Sequence, residues 1–362
     1  MPRIRCRLED FEVEEVPLYP PCGEGEHTFL LIEKRGIDTE AVVRDLEREL
    51  RVPRLGIGYA GRKDRWAVTR QWVSLPRLEP AAALALAGES WPIPGWGEGG
   101  WRVLEAVKHR HKLRTGDLVA NRFRIVVREL GPSGAGAARD RLAELARRGM
   151  PNRFGRQRFG REGDNAAAGA AILRGDRAGG KRSGDRRQTR FLVSALQSAL
   201  FNQVLERRPA PPWELLDGDL ALVHRSGGLF LVGDASAESA RAAALDISPT
   251  GPIFGTKMRQ PGGAVRELEE SVWREQGLPG WDELELPRGL HVDGTRRALR
   301  VPIGDASQQT LDDDAIELRF ELPAGSYATV LIEELFPGEV IAEGAPRESS
   351  AVENETAGPA ET

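Results

Sequence analysis

The residues with the clearest chemical potential lie in one short connection, Arg62-Lys63-Asp64-Arg65, in which a single carboxylate is flanked by three cations. Positive neighbours favour the ionised form of a carboxylate, and guanidinium and ammonium groups attract phosphate. The combination predicts an anionic nucleophile inside a site that binds a polyanion. Composition alone leaves a second interpretation open, a charged surface hairpin in which Asp64 merely pairs with an arginine, because surface loops are commonly charged.

The pattern on either side places this connection between two strands. Leu55, Ile57 and Tyr59 alternate with small or polar residues, which predicts a half-buried strand, and residues 68–75 predict a second one. Asp64 is therefore expected in the turn that joins them.

Two stretches have the apolar periodicity of helices. Residues 39–50 predict a helix with Thr39 as its N-cap residue, and residues 191–208 predict a longer one that ends before Pro209. Strand-like segments lie before, between and after these helices. Such a mixture predicts an α+β protein.

Length and composition indicate an ordinary globular protein. The chain has 362 residues, 40% of them hydrophobic, which is enough for two domains with real cores. No apolar run approaches the roughly 20 residues that span a bilayer, and the N-terminus has no signal-peptide core, so we expect a cytoplasmic protein. Cys6 and Cys22 are expected to be reduced thiols, which excludes a disulfide framework.

Charge is strongly segregated along the chain. Residues 101–190 contain 23 Lys and Arg against 9 Asp and Glu, a balance of +14. Because the whole chain has a net charge of −4, the remaining residues carry −18. A basic block of this kind is typical of proteins that follow phosphates. The alternative is that arginine is simply abundant in an Ala, Arg and Gly-rich sequence.

Within this block, the segment of residues 151–161 interleaves aromatic and cationic side chains around Asn152, Phe154, Arg158 and Phe159. Such a segment can stack on unpaired bases and contact phosphates. It can also be a loop that joins two domains and packs its phenylalanines inward. Both interpretations can hold, because active sites often lie where domains meet.

Neither a cofactor nor a metal is expected. Gly95, Gly97 and Gly100 have the spacing of a dinucleotide-binding fingerprint, but prolines precede them and a strand-like segment follows, so the required strand and helix are missing. His109 and His111 have no third ligand nearby, and the positive charge around them opposes a dication.

Residues 59–72, Tyr-Ala-Gly-Arg-Lys-Asp-Arg-Trp-Ala-Val-Thr-Arg-Gln-Trp, resemble the catalytic-aspartate motif of the tRNA pseudouridine synthase D family. Residues 23–27, 152–160 and 322–329 resemble further segments of that family in the same order. Four such matches in order, spread over most of the chain, are hard to obtain by chance.

The resemblance implies a pseudouridine-synthase-type α+β fold. Residues 1–150 and 300–340 are expected to form a mixed-sheet catalytic domain, interrupted by a smaller α+β insertion at 151–299, with the RNA cleft between the two. Residues 341–362 lack aromatic side chains and are rich in glutamate, which predicts a disordered acidic tail.

The resemblance also implies a cofactor-independent isomerase that converts uridine at tRNA position 13 to pseudouridine. Asp64 is then the nucleophile that attacks the sugar C1′ or the uracil C6. Phe123 is expected to stack on the base and Asn121 to help fix the geometry of the site. Residues expected to bind phosphate or splayed nucleotides are Arg62, Lys63, Asn152, Phe154, Arg158 and Phe159.

Arg5 stands where the family usually has a lysine. Because the two cations differ in geometry, the sequence assigns Arg5 no catalytic duty. The expected partner is tRNA, and nothing in the sequence implies a protein partner, which suits a monomer. Two other classes stay open from the residues alone, a non-catalytic RNA-binding or chaperone protein and, less favoured without a cofactor loop, a methyltransferase.

Overall fold

The structure is a computed structural model that describes the backbone of residues 342 and 343 and all of residues 1–131, 134–160, 162–176, 186–280 and 290–337. The predicted acidic tail lies outside these ranges, except that Ala342–Glu343 forms a short strand beside Arg3–Ile4. Strands and helices are mixed along the described chain, and the predicted α+β class is confirmed.

A mixed sheet built from both ends of the described chain dominates the fold. The described strands are β1 (Arg3–Ile4), β2 (Phe11–Pro17), β3 (His27–Arg35), β4 (Gly58–Tyr59), β5 (Val68–Pro76), β6 (Trp91–Ile93), β7 (Gly97–His109), β8 (Leu118–Arg128), β9 (Met150–Pro151), β10 (Leu220–Val223), β11 (Leu229–Leu231), β12 (Ile247–Ile253), β13 (Thr295–Ala298), β14 (Arg300–Val301), β15 (Gly304–Asp312), β16 (Ala315–Pro323) and β17 (Ala342–Glu343). Eleven of these described strands share one sheet, whose main path runs β15-β16-β8-β2-β5-β3-β7-β6. Within that path β2 and β5 are parallel.

The described helices are α1 (Thr39–Leu50), α2 (Pro80–Ala83), α3 (Gly134–Arg148), α4 (Asn165–Arg174), α5 (Arg186–Arg207), α6 (Ala235–Ala243), α7 (Gly263–Arg274) and α8 (Ala328–Leu335). The predicted helix at 39–50 is confirmed as α1, and the predicted helix at 191–208 is α5, which begins five residues earlier. In the part of the chain that the structure covers, no helix has both the length and the apolar character needed to cross a bilayer.

Two groups of helices pack on one face of the main sheet. α1 buries Val42, Val43 and Leu46 against β3, β5 and β7, whereas α3 and α8 pack against β8 and β16 in a separate cluster. Directly paired residues of neighbouring strands share a face. The register therefore puts Glu15 and Asn121 on this same face, between the two groups.

After β8 the chain leaves the main sheet and passes through α3 to β9, and it passes through β14 before it rejoins that sheet at β15. The two short strands β9 and β14 pair with each other in antiparallel fashion. The residues between them form a second sheet, in the order β11-β10-β12-β13. α5 packs beside this sheet, and the hydrophobic cluster around it takes its members from the span between Ala170 and Val292. The chain thus passes between the two larger sheets twice, each time through one strand of this pair.

Two local predictions were wrong. The strand expected from Leu55 to Tyr59 is only β4, because Arg54–Gly56 forms a 3₁₀ turn that leaves Leu55 88% exposed. The N-cap residue of α1 is Asp38, whose carboxylate accepts from the N–H of Ala41 at 2.8 Å. Thr39 is buried and its hydroxyl bonds to the loop that carries Asp64.

Candidate active site

Asp64 lies in the loop between β4 and β5, as predicted, and its carboxylate forms an ion pair. Nη2 of Arg5 donates to Oδ2 of Asp64 at 2.9 Å, with the arginine side chain 9% exposed and the aspartate side chain 41% exposed. A largely buried cation therefore presents a half-exposed carboxylate to the solvent side of the sheet.

Arg5 is itself held by an aromatic ring. Its guanidinium lies 4.2 Å from the centroid of the Phe11 ring, which positions it by cation–π attraction as well as by charge. Its φ of +59° is in the left-handed region, which is uncommon for a residue other than glycine. The structure thus gives Arg5 a contact with Asp64 that the sequence did not predict.

The backbone of the loop is fixed from the core. Nζ of Lys34 donates to the main-chain carbonyl of Asp64 at 2.6 Å, and Nε2 of Gln71 donates to the carbonyl of Gly61 at 3.3 Å. The hydroxyl of Thr39 accepts from the N–H of Lys63 at 3.0 Å and donates to Oε1 of Gln71 at 2.8 Å. Each of these contacts restrains the loop, so the direction of the Asp64 side chain is largely determined before any ligand arrives.

Lys34 is buried at 1% exposure and also donates to the carbonyl of Ile37 at 2.8 Å. Burial lowers the pKa of its ammonium from 10.5 to about 7, although Asp64 and Asp38 favour the charged form. A lysine that titrates near neutral pH therefore lies directly beneath the proposed nucleophile.

The two cations that precede Asp64 have different environments. Nζ of Lys63 lies 2.6 Å from Oε2 of Glu15 in a buried ion pair, so its position does not agree with the expected contact to phosphate. The physical reason is that the side chain points toward the sheet, where Glu15 neutralises it. Arg62 is 73% exposed and reaches Glu40 at 2.9 Å on the surface, where a phosphate has access to it.

Phe123 and Asn121 project from β8 on the face that carries the site. The ring of Phe123 stacks on Phe320 with centroids 5.3 Å apart and meets the edge of Phe11 at 6.2 Å. Arg5 joins this aromatic group to Asp64. Oδ1 of Asn121 is buried and has no hydrogen-bond partner among the described residues.

Asn152 is buried at the crossing between the two sheets. Its Nδ2 donates to the carbonyl of Ala298 at 2.9 Å, and its Oδ1 accepts from Nη2 of Arg297 at 2.5 Å. The ring of Phe154 lies under the same guanidinium at 4.2 Å and contacts Tyr327 edge-on at 6.0 Å. These side chains connect the two parts of the chain, which agrees with the domain-joining interpretation of the segment.

Arg158 and Phe159 lie farther along the same segment, in the 3₁₀ turn Arg156–Phe159. The guanidinium of Arg158 donates to the hydroxyls of Ser194 and Ser198 on α5. Phe159 is half-buried. The structure therefore brings Asp64, Asn121 and Phe123 to one face of the main sheet and attaches Arg158 to α5.

Sequence reasoning missed Glu15, Lys34 and Gln71 as parts of the site. The available signal was a polar side chain within an otherwise buried strand, since buried polar groups must find partners. That signal shows that a partner exists and does not say which one.

A crystal structure from Methanosarcina mazei, described as tRNA pseudouridine synthase D, has the same fold. It matches with a TM-score of 0.71 and 24% identity, over 92% of this chain and 93% of the other. The two chains therefore share one fold.

The sequence comparisons then specify the family. A family model described as tRNA pseudouridine synthase D (TruD) matches residues 2–180 and 178–335. Relatives with that name include proteins from Geobacter metallireducens, 39% identical over 92% of this chain and 95% of theirs, and Thermus thermophilus, 40% identical over 96% and 94%. The chain belongs to the tRNA pseudouridine synthase D family. It is an isomerase that converts uridine to pseudouridine in tRNA.

Proposed function

We propose that Asp64 is the nucleophile of this isomerase and that the target is the uridine at tRNA position 13. The observation that carries the proposal is the Arg5–Asp64 pair, in which a half-exposed carboxylate is held beside an aromatic floor. The carboxylate attacks C1′ of the sugar or C6 of the uracil, and the order of these events stays open. The C1′–N1 bond breaks, the base turns, and a C1′–C5 bond forms. The bond between Asp64 and the substrate breaks again before the product leaves, so the carboxylate is regenerated. The proton on C5 leaves to solvent, and N1 takes up a proton.

The target base has to leave its stack before Asp64 can reach it, which costs a few kcal/mol. Phe123 supplies the ring on which the detached base rests, and its own stacking on Phe320 keeps it from turning away. Asn121 offers a buried carbonyl oxygen that needs a donor, and the N–H groups of uracil are donors of the right kind.

The two loops that line this site have supporting roles in the proposal. Lys63 holds the loop from below through Glu15, and exposed Arg62 contacts an RNA phosphate. Asn152 and Phe154 shape the wall of the cleft between the two sheets, and Arg158 with Phe159 extends that wall toward α5.

We also propose the division into a catalytic domain, residues 1–150 and 300–340, and an inserted domain, residues 151–299. The pairing of β9 with β14 and the separate hydrophobic clusters support these boundaries. The substrate is tRNA, the working location is the cytoplasm, and the enzyme acts as a monomer.

The decisive experiment measures tritium release from tRNA transcripts labelled at C5 of uridine, with no cofactor added. We expect release by the wild type and none by Asp64→Asn, while both bind tRNA. Asp176→Asn is the matched control, because Asp176 is 42% exposed and pairs with Arg174 at 2.8 Å, much as Asp64 pairs with Arg5. The control should retain full activity.

A second transcript, in which cytidine replaces the uridine at position 13, tests the position. If the wild type releases tritium from the unaltered transcript but not from this one, the assignment to position 13 is supported. Unchanged release from the altered transcript refutes that assignment. A wild type that binds transcripts without releasing tritium would instead favour a non-catalytic RNA-binding protein. That function predicts unchanged or tighter tRNA binding by Asp64→Asn, because a negative charge near phosphate is lost.

A further inference from the structure

Lys34 is the one described lysine that bonds to the backbone of Asp64. It lies near the end of β3 on the face that carries α1, opposite Thr69 of β5 and Trp101 of β7. Its ammonium joins two loops, because it donates both to the carbonyl of Ile37 and to the carbonyl of Asp64.

The charges that face Lys34 come from both loops. Asp64 and Asp38 attract its ammonium, and Lys63 repels it. Asp38 is engaged as the cap of α1, and Lys63 is neutralised by Glu15. No carboxylate of the described residues lies within ion-pair distance of Lys34, so its short contacts are to carbonyl oxygens.

We propose that Lys34 is a positioning residue for the isomerisation: its ammonium clamps the main-chain carbonyl of Asp64 and thereby fixes where the carboxylate points. The inference rests on the proposed role of Asp64 as the nucleophile. Lys34 itself touches neither the tRNA nor the reacting atoms in this arrangement.

The bond to the carbonyl of Asp64 is what makes Lys34 a positioning residue. A bond to the carbonyl of a residue restrains the same backbone unit from which its side chain extends, so the orientation of the Asp64 carboxylate depends on Lys34. A misplacement of about 1 Å can lower a rate by about 100-fold even when substrate binding is intact. We therefore expect the effect in kcat and not in tRNA affinity.

The clamp also makes the rate sensitive to pH. A charged donor forms a hydrogen bond roughly twice as strong as a neutral one, so the ammonium holds the two carbonyls more firmly than the free amine does. Because burial gives Lys34 a pKa of about 7, the wild-type kcat/KM should fall as pH rises through neutrality. RNA phosphates entering the cleft favour the charged lysine, so the fall in kcat should occur at higher pH.

The test compares Lys34→Met with the wild type in the tritium-release assay between about pH 6 and 8.5, with tRNA affinity and melting temperature measured in parallel. Methionine keeps the length of the side chain and removes the donors. The control is Lys257→Met: Lys257 is an exposed lysine outside the basic block of residues 101–190, and its ammonium pairs with the carboxylate of Asp293 at 3.3 Å.

We expect Lys34→Met to keep tRNA affinity within about twofold, to lose about 100-fold in kcat and to lose the inflection near neutral pH. Lys257→Met should match the wild type in all three. A folded Lys34→Met with wild-type kcat, or one that loses kcat and retains the inflection, overturns the proposal.

Where Lys34→Met does not fold, Lys34→Gln replaces it. Because glutamine retains a neutral donor, its loss in kcat should be smaller than that expected for methionine, but the inflection near neutral pH should still disappear, and an inflection that persists overturns the proposal. Failure of this inference differs from failure of the proposed function. In the first case the wild type is active, Asp64→Asn is inactive and the Lys34 variants behave like the wild type. In the second case Asp64→Asn remains active or the wild type releases no tritium.

Discussion

The loop that carries Asp64 and the segment that begins at Asn152 are each held by one cation that donates to main-chain carbonyls. Lys34 holds the first through the carbonyls of Asp64 and Ile37. Arg297 holds the second through the carbonyls of Asn152 and Gly325. The cations differ in chemistry, because lysine changes its pKa readily on burial and arginine does not lose its charge near neutral pH.

Burial lowers the pKa of Arg297 to about 10, which leaves it charged at every physiological pH, whereas Lys34 titrates at about 7. The segment between the two sheets is therefore held equally well at all working pH values. The loop of the proposed nucleophile is held by a group whose charge varies near neutral pH.

The largest predicted effect tests this difference through stability. The folded state lowers the pKa of Lys34 below its unfolded value of 10.5, so the unfolded chain binds the extra proton between pH 7 and 10.5. The free energy of unfolding of the wild type should rise across that window, relative to Lys34→Met, by up to about 5 kcal/mol. Below pH 7 the difference between them should be constant. Urea unfolding of both proteins at several pH values measures this difference in the free energy of unfolding. A difference that stays constant from pH 7 to 10.5 would contradict the lowered pKa of Lys34.

A second prediction compares two adjacent cations. Lys63→Met leaves Glu15 buried and unpaired, which should lower the free energy of unfolding by about 3 kcal/mol. Arg62→Met, one residue earlier and on the surface, should change it by less than about 0.5 kcal/mol. Urea unfolding of Lys63→Met and Arg62→Met measures both changes in the free energy of unfolding. If Lys63→Met weakens tRNA binding at unchanged stability, the phosphate contact expected from the sequence is correct.

A third prediction concerns the segment held by Arg297. Asn152→Ala removes a buried bond to the carbonyl of Ala298 and a part-buried bond to the guanidinium of Arg297, and should cost about 2 kcal/mol. The cost should not vary between about pH 6 and 8.5, because Arg297 stays charged there. Gln157→Ala, at an exposed position of the same segment, is the control and should be neutral. A cost that changes with pH in that range would remove the distinction between the two segments.

The smallest effects are expected at the outer positions. Arg62→Ala and Arg156→Ala should each weaken tRNA binding a few-fold without altering stability, and each should reduce the salt dependence of binding by about one counterion. Filter binding at several salt concentrations tests both. Unchanged salt dependence in either variant would show that the RNA follows another path.

The sequence predicted the class of fold, the position of Asp64 between two strands and the family, because these depend on periodicity and on a contiguous motif. It did not predict that Lys63 points inward, since cationic residues in a turn look alike until the sheet beneath supplies a partner such as Glu15. The same limit applies to Thr39. A threonine at the start of a helix predicts an N-cap, and the hydrogen bond from its hydroxyl to Gln71 is seen only once the neighbouring strand is placed.

The pairing of β8 with β16 has a consequence for the order of assembly on the ribosome. Arg128 at the end of β8 pairs with Ala315 at the start of β16, roughly 190 residues later. At a synthesis rate of about 5 to 20 residues per second, β16 is made about 10 to 40 s after β8, and this edge of β8 is unpaired until then. Meanwhile the residues between the crossings emerge and can pack. Arg122 and Arg124 place charge along the waiting edge, which discourages it from pairing with another nascent chain.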